Sequence, residues 1–205
     1  SDIKSLQTLL GEDKRGTKII AKLEDQEAIK NMQEIIKVSD GIMVARGDLG
    51  VEMPPEEVPI LQKRLVDRSR EHGKPVVVAT QMLDSMIENP VPTRAEVSDI
   101  ANSILDGADA LMVTGETAVG KFPSGVIDVL SDVINETEKT LKYYSRTIGK
   151  DTVDSIAGGI SHAACTIAKD LDLNSIVTMT QSGGTARLFS SFRPAASVYA
   201  MTTLK

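Results

Sequence analysis

The chain has 205 residues, 41% of them hydrophobic and 25% charged, with a formal charge of −6; this is globular composition, enough for one domain with a sizeable core or one and a part. Net acidity, 3% aromatic residues and no basic run argue against a general nucleic-acid binder, though not against a local basic pocket for phosphates. No apolar run reaches the roughly 18–20 residues of a membrane span, and residues 1–10 lack the charged-then-apolar layout of a signal peptide.

Four short runs, rich in β-branched residues or Met and almost continuously apolar, begin at residues 17, 41, 75 and 110. They read as buried parallel strands over 17–21, 41–45, 75–79 and 110–114. Helical patterns lie between them. Ala28, Ile29, Met32, Ile35 and Ile36 share one helical stripe, and Leu61 and Leu65 share another with Arg68 at its edge. Thr93 and Glu96 form a capping box that opens a helix with Val97, Ile100, Ala101, Ile104 and Leu105 on one face. A fourth helix follows Pro123, with Val126, Val129, Leu130, Val133 and Ile134 inside. The βαβαβαβα order predicts parallel strands with right-handed crossovers, either an open doubly wound sheet or part of a (β/α)8 barrel. Four units cannot close a barrel by themselves.

Tyr143, Tyr144, Gly149 and Asp151 suggest a connector, so the domain division is placed as 1–146 and 147–205. Beyond it a helix carries Ile156, Ile160, Ala163, Ala164 and Ile167 on one face. Strands at 175–180 and 196–201 flank a Gly-rich turn and a short helix. The single cysteine, Cys165, permits no intrachain disulfide and suits a reducing, cytoplasmic setting. Among small apolar neighbours it reads as a buried residue rather than a nucleophile.

Chemistry collects at the C-terminal ends of parallel strands. The first strand runs into Lys22 and Glu24, two apart and so on one face of an extended backbone. The second runs into Ala45-Arg46-Gly47-Asp48, where strand parity predicts a shared face for Arg46 and Asp48. Glycines there admit close approach of a ligand, and a helical turn would offer free N–H groups to an anion. Glu24 and Asp48 offer two carboxylates to a hard cation such as magnesium. The third strand ends at Thr80 and the fourth at Thr114. A cation, a Lys, an anion-binding turn and a hydroxyl suit phosphoryl transfer or enolate chemistry.

The plainer readings are a Lys22–Glu24 salt bridge, Asp48 as a turn former, Arg46 braced on a carboxylate, and Thr80 capping the next helix. Glu116 reads as support for the mouth, His72 as a solvated helix end, and Met43, Met82, Met86 and Met112 as core filling.

The segments TKIIAKLE at 17–24, SDGIMVARGDLG at 39–50, ATQMLDSM at 79–86, PTRAE at 92–96 and GETA at 115–118 resemble pyruvate kinase in order and spacing. The resemblance implies an α/β protein: the last four βα units of a (β/α)8 TIM barrel followed by part of a second α/β domain. It implies transfer of the phosphoryl group of phosphoenolpyruvate to ADP, giving pyruvate and ATP in glycolysis. Lys22 would neutralise the transferring group. Glu24 and Asp48 would hold Mg2+. Ala45, Arg46, Gly47 and Asp48 would seat the substrate carboxylate, and Thr80 would assist protonation of the enolpyruvate.

The turn after the fifth strand, with Thr178, Thr180, Ser182, Gly183, Gly184 and Thr185, resembles the family's loop for a phosphorylated activator; alone, it could equally be a plain βα turn. The resemblance also implies potassium, with ligands in barrel strands outside this chain, and a homo-tetramer. The chain is therefore expected to be a fragment with little or no activity alone. Two alternatives stand: a magnesium-dependent barrel aldolase or lyase acting on a pyruvate-like acid, and a non-catalytic module binding a phosphorylated effector.

Overall fold

The computed structural model describes residues 2–11, 17–140 and 155–203. They fall into two compact units, each with its own sheet. The expected connector and the boundary at 146–147 lie outside the described residues.

In the first unit β1 (Ile20–Leu23), β2 (Gly41–Ala45), β3 (Val76–Ala79) and β4 (Ala110–Met112) form one parallel sheet in the order β1-β2-β3-β4. Each strand pairs with the next, without the reversal that defines a doubly wound sheet. The α/β fold is borne out, and the winding is that of a barrel segment. The first strand begins three residues later than its apolar run. Before it, Ile19 is held outside the ladder, its N–H on Asp40 Oδ2 at 2.9 Å and its carbonyl accepting from Asp40 N at 2.8 Å. Lys22 therefore lies within β1, not beyond it.

Register sorts the two faces. Ala21, Ile42 and Val76 align in one row, and Leu23, Val44, Val78 and Leu111 in another. Both rows face the helices and enter one hydrophobic cluster. The row Lys22, Met43, Val77 and Ala110 faces the other way and is only partly covered.

The helices of this unit are α1 (Asp2–Leu10), α2 (Gln26–Lys30), α3 (Met32–Val38), α4 (Arg46–Glu52), α5 (Val58–Glu71), α6 (Arg94–Asp106), α7 (Gly115–Ala118) and α8 (Pro123–Thr140). Leu61, Leu65, Ile100, Ile104, Val126 and Leu130 are buried from the predicted stripes. The stripe over 28–36 is broken, however, into α2 and α3. The amide of Asn31 donates to Glu27 O at 3.0 Å and its backbone departs from helical angles, so the side chain competes with the helix's own ladder. The capping box of α6 is complete in both directions. No helix among the described residues is long and apolar enough to cross a membrane.

Gly120 closes α7 by donating to Gly115 O at 3.0 Å. A Cβ there would stand 2.2 Å from Glu116 O and 3.3 Å from Ile87 Cα. Both are backbone atoms and cannot step aside. Gly120→Ala is expected to cost about 3 kcal/mol through overpacking. Urea unfolding of the first unit should show this as a lower midpoint; an unchanged midpoint would mean that the turn relaxes freely.

The second unit holds α9 (Ile156–Asp170), β5 (Ser175–Met179), α10 (Gly184–Ser191) and β6 (Ser197–Met201), with β5 and β6 parallel. Its core is Cys165, Ala168, Ile176, Phe189, Phe192 and Ala196. The apolar face read on α9 is not the one that packs: Ile156, Ile160 and Ile167 are exposed, and of that face Ala164 touches the core. The helix buries Gly158, Ser161, Cys165 and Ala168, small residues at helical spacing that admit close packing. Cys165 is buried as expected, and burial pushes its thiol up to about 11.

Candidate functional site

The C-terminal edge of the first sheet gathers the expected residues. Lys22 projects from the third position of β1 on the open face, and Glu24 follows one pleat later, just past the strand. The Lys22 ammonium pairs with Glu24 Oε2 and lies 2.9 Å from Asp48 Oδ2. Those two contacts, Glu24 first, raise the Lys22 ammonium above its ordinary pKa. All three side chains remain about half exposed, so the pairing is screened and adds little stability.

Asp48 reaches this point by a different route from the expected one. The extended backbone ends at Ala45, which has non-helical angles and precedes α4, so Arg46, Gly47 and Asp48 form a first helical turn. A helical step rotates about 100° per residue, and strand parity no longer applies. Asp48 therefore faces Lys22 while Arg46 turns inward and is buried at 7% exposure. Its guanidinium pairs with Asp99 on α6 and donates to Thr80 O and Gln81 O. Arg46 is thus braced on a carboxylate, the plainer of its two readings. A cleft of about 660 Å3 behind α4 is lined in part by Arg46, Gly47, Gln81 and Asp99; Lys22, Glu24, Asp48 and Thr80 do not line it.

Thr80 does not cap a following helix. It takes a left-handed conformation with φ 69°, as does Gln81 with φ 53°. Its hydroxyl accepts from Gly47 N at 2.8 Å and donates to Ala79 O at 2.6 Å. The hydroxyl therefore sits on the first turn of α4, whose N–H groups have no partner within the helix. Gly47 matters for this approach: a Cβ there would lie 3.3 Å from Thr80 Oγ1.

The segment after Thr80, including a 3-10 turn over Asp84–Ile87, hangs on two further carboxylates. Glu116, 1% exposed, accepts from Leu83 N at 3.2 Å and Thr114 N at 2.8 Å. Burial pushes its carboxyl up, but backbone donors at Glu116, Thr114, Leu83 and Met82 outweigh this and hold it below the ordinary value. Glu116 thus supports the mouth, as its plainer reading had it. Burial likewise raises Glu96, and hydrogen bonds from Ser85 and Thr93 override it. Ser85 donates to Glu96 through both N and Oγ, so the capping residue of α6 also ties down this turn. Asp84 stands between them. Burial first, then the charges of Glu116 and Glu96, raise its carboxyl, and Arg46 opposes them.

In the second unit Thr178 is buried in β5, apart from the turn. Thr180, Ser182, Gly183, Gly184 and Thr185 gather where α10 begins. Gly183, at φ 80°, precedes the helix and donates to Thr180 Oγ1 at 3.0 Å. Arg187 folds back with Nη2 3.3 Å from Ser182 O, placing a cation at this turn.

Sequence reasoning missed Asp99, the Ser85–Glu96 link and Arg187. Only Arg187 carried a local signal, one helical turn into a helix that opens on glycines. Asp99 lies 53 residues from Arg46, outside the motifs and beyond the reach of any local spacing rule.

Comparison with known proteins gives concordant results. The family model "Pyruvate kinase, barrel domain" matches residues 1–127, and "Pyruvate kinase, alpha/beta domain" matches 159–205. A pyruvate kinase of Thermotoga maritima is 55% identical over 90% of this chain and 39% of its own length. One from Bacillus licheniformis is 46% identical over 98% of this chain and 35% of its own length. The crystal structure of a pyruvate kinase from Cryptosporidium parvum superposes with a TM-score of 0.91 at 40% identity, covering 98% of this chain and 43% of that one. The chain thus spans well under half the length of these relatives.

Proposed function

We propose, from the premise that this chain belongs to the pyruvate kinase family, that its sheet mouth serves phosphoryl transfer from phosphoenolpyruvate to ADP. The observation that carries this reading is the convergence of Lys22, Glu24 and Asp48 beside the Gly47–Thr80 contact. In the reaction the enol P–O bond breaks and a new P–O bond forms to the terminal oxygen of ADP. The enolate left behind takes a proton at carbon and becomes pyruvate.

Each residue has a task in that sequence. Lys22 neutralises charge on the transferring phosphoryl group, an electrostatic role that grows in the transition state. Glu24 and Asp48 are hard oxygen donors converging on one point, and they fit magnesium, which takes one or two protein carboxylates. When bound there, the ion would neutralise negative charge on substrate oxygens. The turn at Ala45, Arg46, Gly47 and Asp48 seats the substrate carboxylate on backbone N–H groups, that of Gly47 being shared with the Thr80 hydroxyl. Thr80 holds its hydroxyl beside that turn and assists the proton transfer. Potassium, a tetrameric assembly and a cytoplasmic setting accompany this reading. The turn at Gly183, with Arg187 alongside, takes a phosphorylated activator in the same proposal.

Pyruvate formation at the protein's native length is expected to require both ADP and magnesium. Turnover without ADP would favour the aldolase or lyase alternative. Effector binding that depends on Ser182, with no turnover at all, would favour the non-catalytic module.

A further inference from the structure

Thr80 and Gln81 are two successive non-glycine residues in left-handed backbone. Threonine is β-branched and meets a steric penalty there; such conformations persist only where surrounding contacts over-determine them. Arg46 supplies those contacts. Its Nε and Nη2 donate to Thr80 O at 3.2 and 2.8 Å, and Nη2 also donates to Gln81 O at 2.8 Å. Its Nη1 pairs with Asp99, which orients the planar fork. The same residue precedes Gly47, whose N–H donates to the Thr80 hydroxyl oxygen. One side chain thus joins the two backbones that must meet at the mouth.

We infer that Arg46 is a positioning residue whose guanidinium clamps the left-handed Thr80–Gln81 turn and so keeps the Thr80 hydroxyl on the Gly47 N–H. The clamp stands on geometry alone; its kinetic consequence rests on the phosphotransfer reading above. A lysine keeps the charge toward Asp99 but lacks the fork that spans two carbonyls.

Arg46→Lys tests this in two ways. In the 205-residue chain, hydrogen exchange of the Gly47 amide is expected to accelerate about tenfold or more, since its partner opens locally rather than by global unfolding, while amides in β2 and β3 keep their protection. At native length, kcat for ADP-dependent pyruvate formation is expected to fall about 100-fold, the size expected for a reacting group displaced by an ångström, with KM for phosphoenolpyruvate little changed. Adding Gln81→Gly, which relieves the left-handed strain, should restore part of both. Unchanged exchange at Gly47 would overturn the clamp. So would protection lost evenly across the sheet, which is what a merely structural arginine produces. Faster exchange at Gly47 with unaltered kcat would uphold the clamp and instead overturn the role given to Thr80.

Discussion

Lys22→Met is expected to lower ADP-dependent pyruvate formation by about 100- to 1000-fold at native length, with no loss of fold. The loss is large because phosphoryl transfer asks the protein for charge neutralisation and positioning more than for covalent chemistry. Methionine keeps the length and apolar stem of lysine and removes only the charge. The fold is spared because Lys22 lies on the open face, about half exposed and outside the hydrophobic cluster. The variant also separates two roles that share one place. With the ammonium gone, Glu24 and Asp48 repel each other and should bind magnesium at least as tightly, measurable by calorimetry with MgCl2. Lost turnover with retained magnesium binding is the expected pair of results. Retained turnover would remove Lys22 from the chemistry.

Glu116→Ala is expected to destabilise the first unit by about 3 kcal/mol or more, because it strands buried backbone donors at Leu83 and Thr114. Glu116→Gln, which keeps an acceptor oxygen, should lose less. The pH dependence follows from the direction of the shift. The folded carboxyl titrates below its ordinary value of 4.5, so its contribution is whole above that pH and is lost as the pH falls through the lower folded value. Asp84, shifted upward in part by Glu116 itself, acts in the opposite sense and gains on acidification, so both chains are compared in an Asp84→Asn background. Unfolding of parent and Glu116→Ala chains at pH 7 and at about pH 3 should show the gap narrowing in acid. A gap independent of pH would assign the loss to packing, not to the carboxylate.

Much of this molecule was legible in one dimension. Near-continuous apolar runs marked all four strands of the first sheet, of which β2 and β3 are paired on both edges and β1 and β4 on one. The capping box at Thr93 and Glu96 placed α6, since cap chemistry is local. Lys22 and Glu24 could be put on one side of the chain by pleat alone, and the motifs around them identified the family. Two inferences from periodicity failed. Arg46 and Asp48 separated because helix replaced strand at that step, turning alternation into a rotation of about 100°. The isoleucines of α9 stood outside because the helix buries small side chains that let it sit close to β5 and α10; periodicity marks a stripe but cannot say which stripe finds a partner.

Contacts made across long stretches of chain belong to tertiary structure alone. Asp99 meets Arg46 over 53 residues, and Glu116 meets Leu83 over 33. No spacing rule reaches that far, because such pairs are chosen by where the sheet register delivers each loop. The left-handed turn at Thr80 and Gln81 is of the same kind. Local preference opposes it, and it exists because Arg46 arrives from the first turn of α4 to hold its carbonyls. Residue types and their order determined the fold class, the family and the identity of the groups at the mouth. Register and long-range packing decided which of those groups face one another and which brace the backbone behind them, since side-chain direction at a strand end is set by neighbours that the local sequence does not contain.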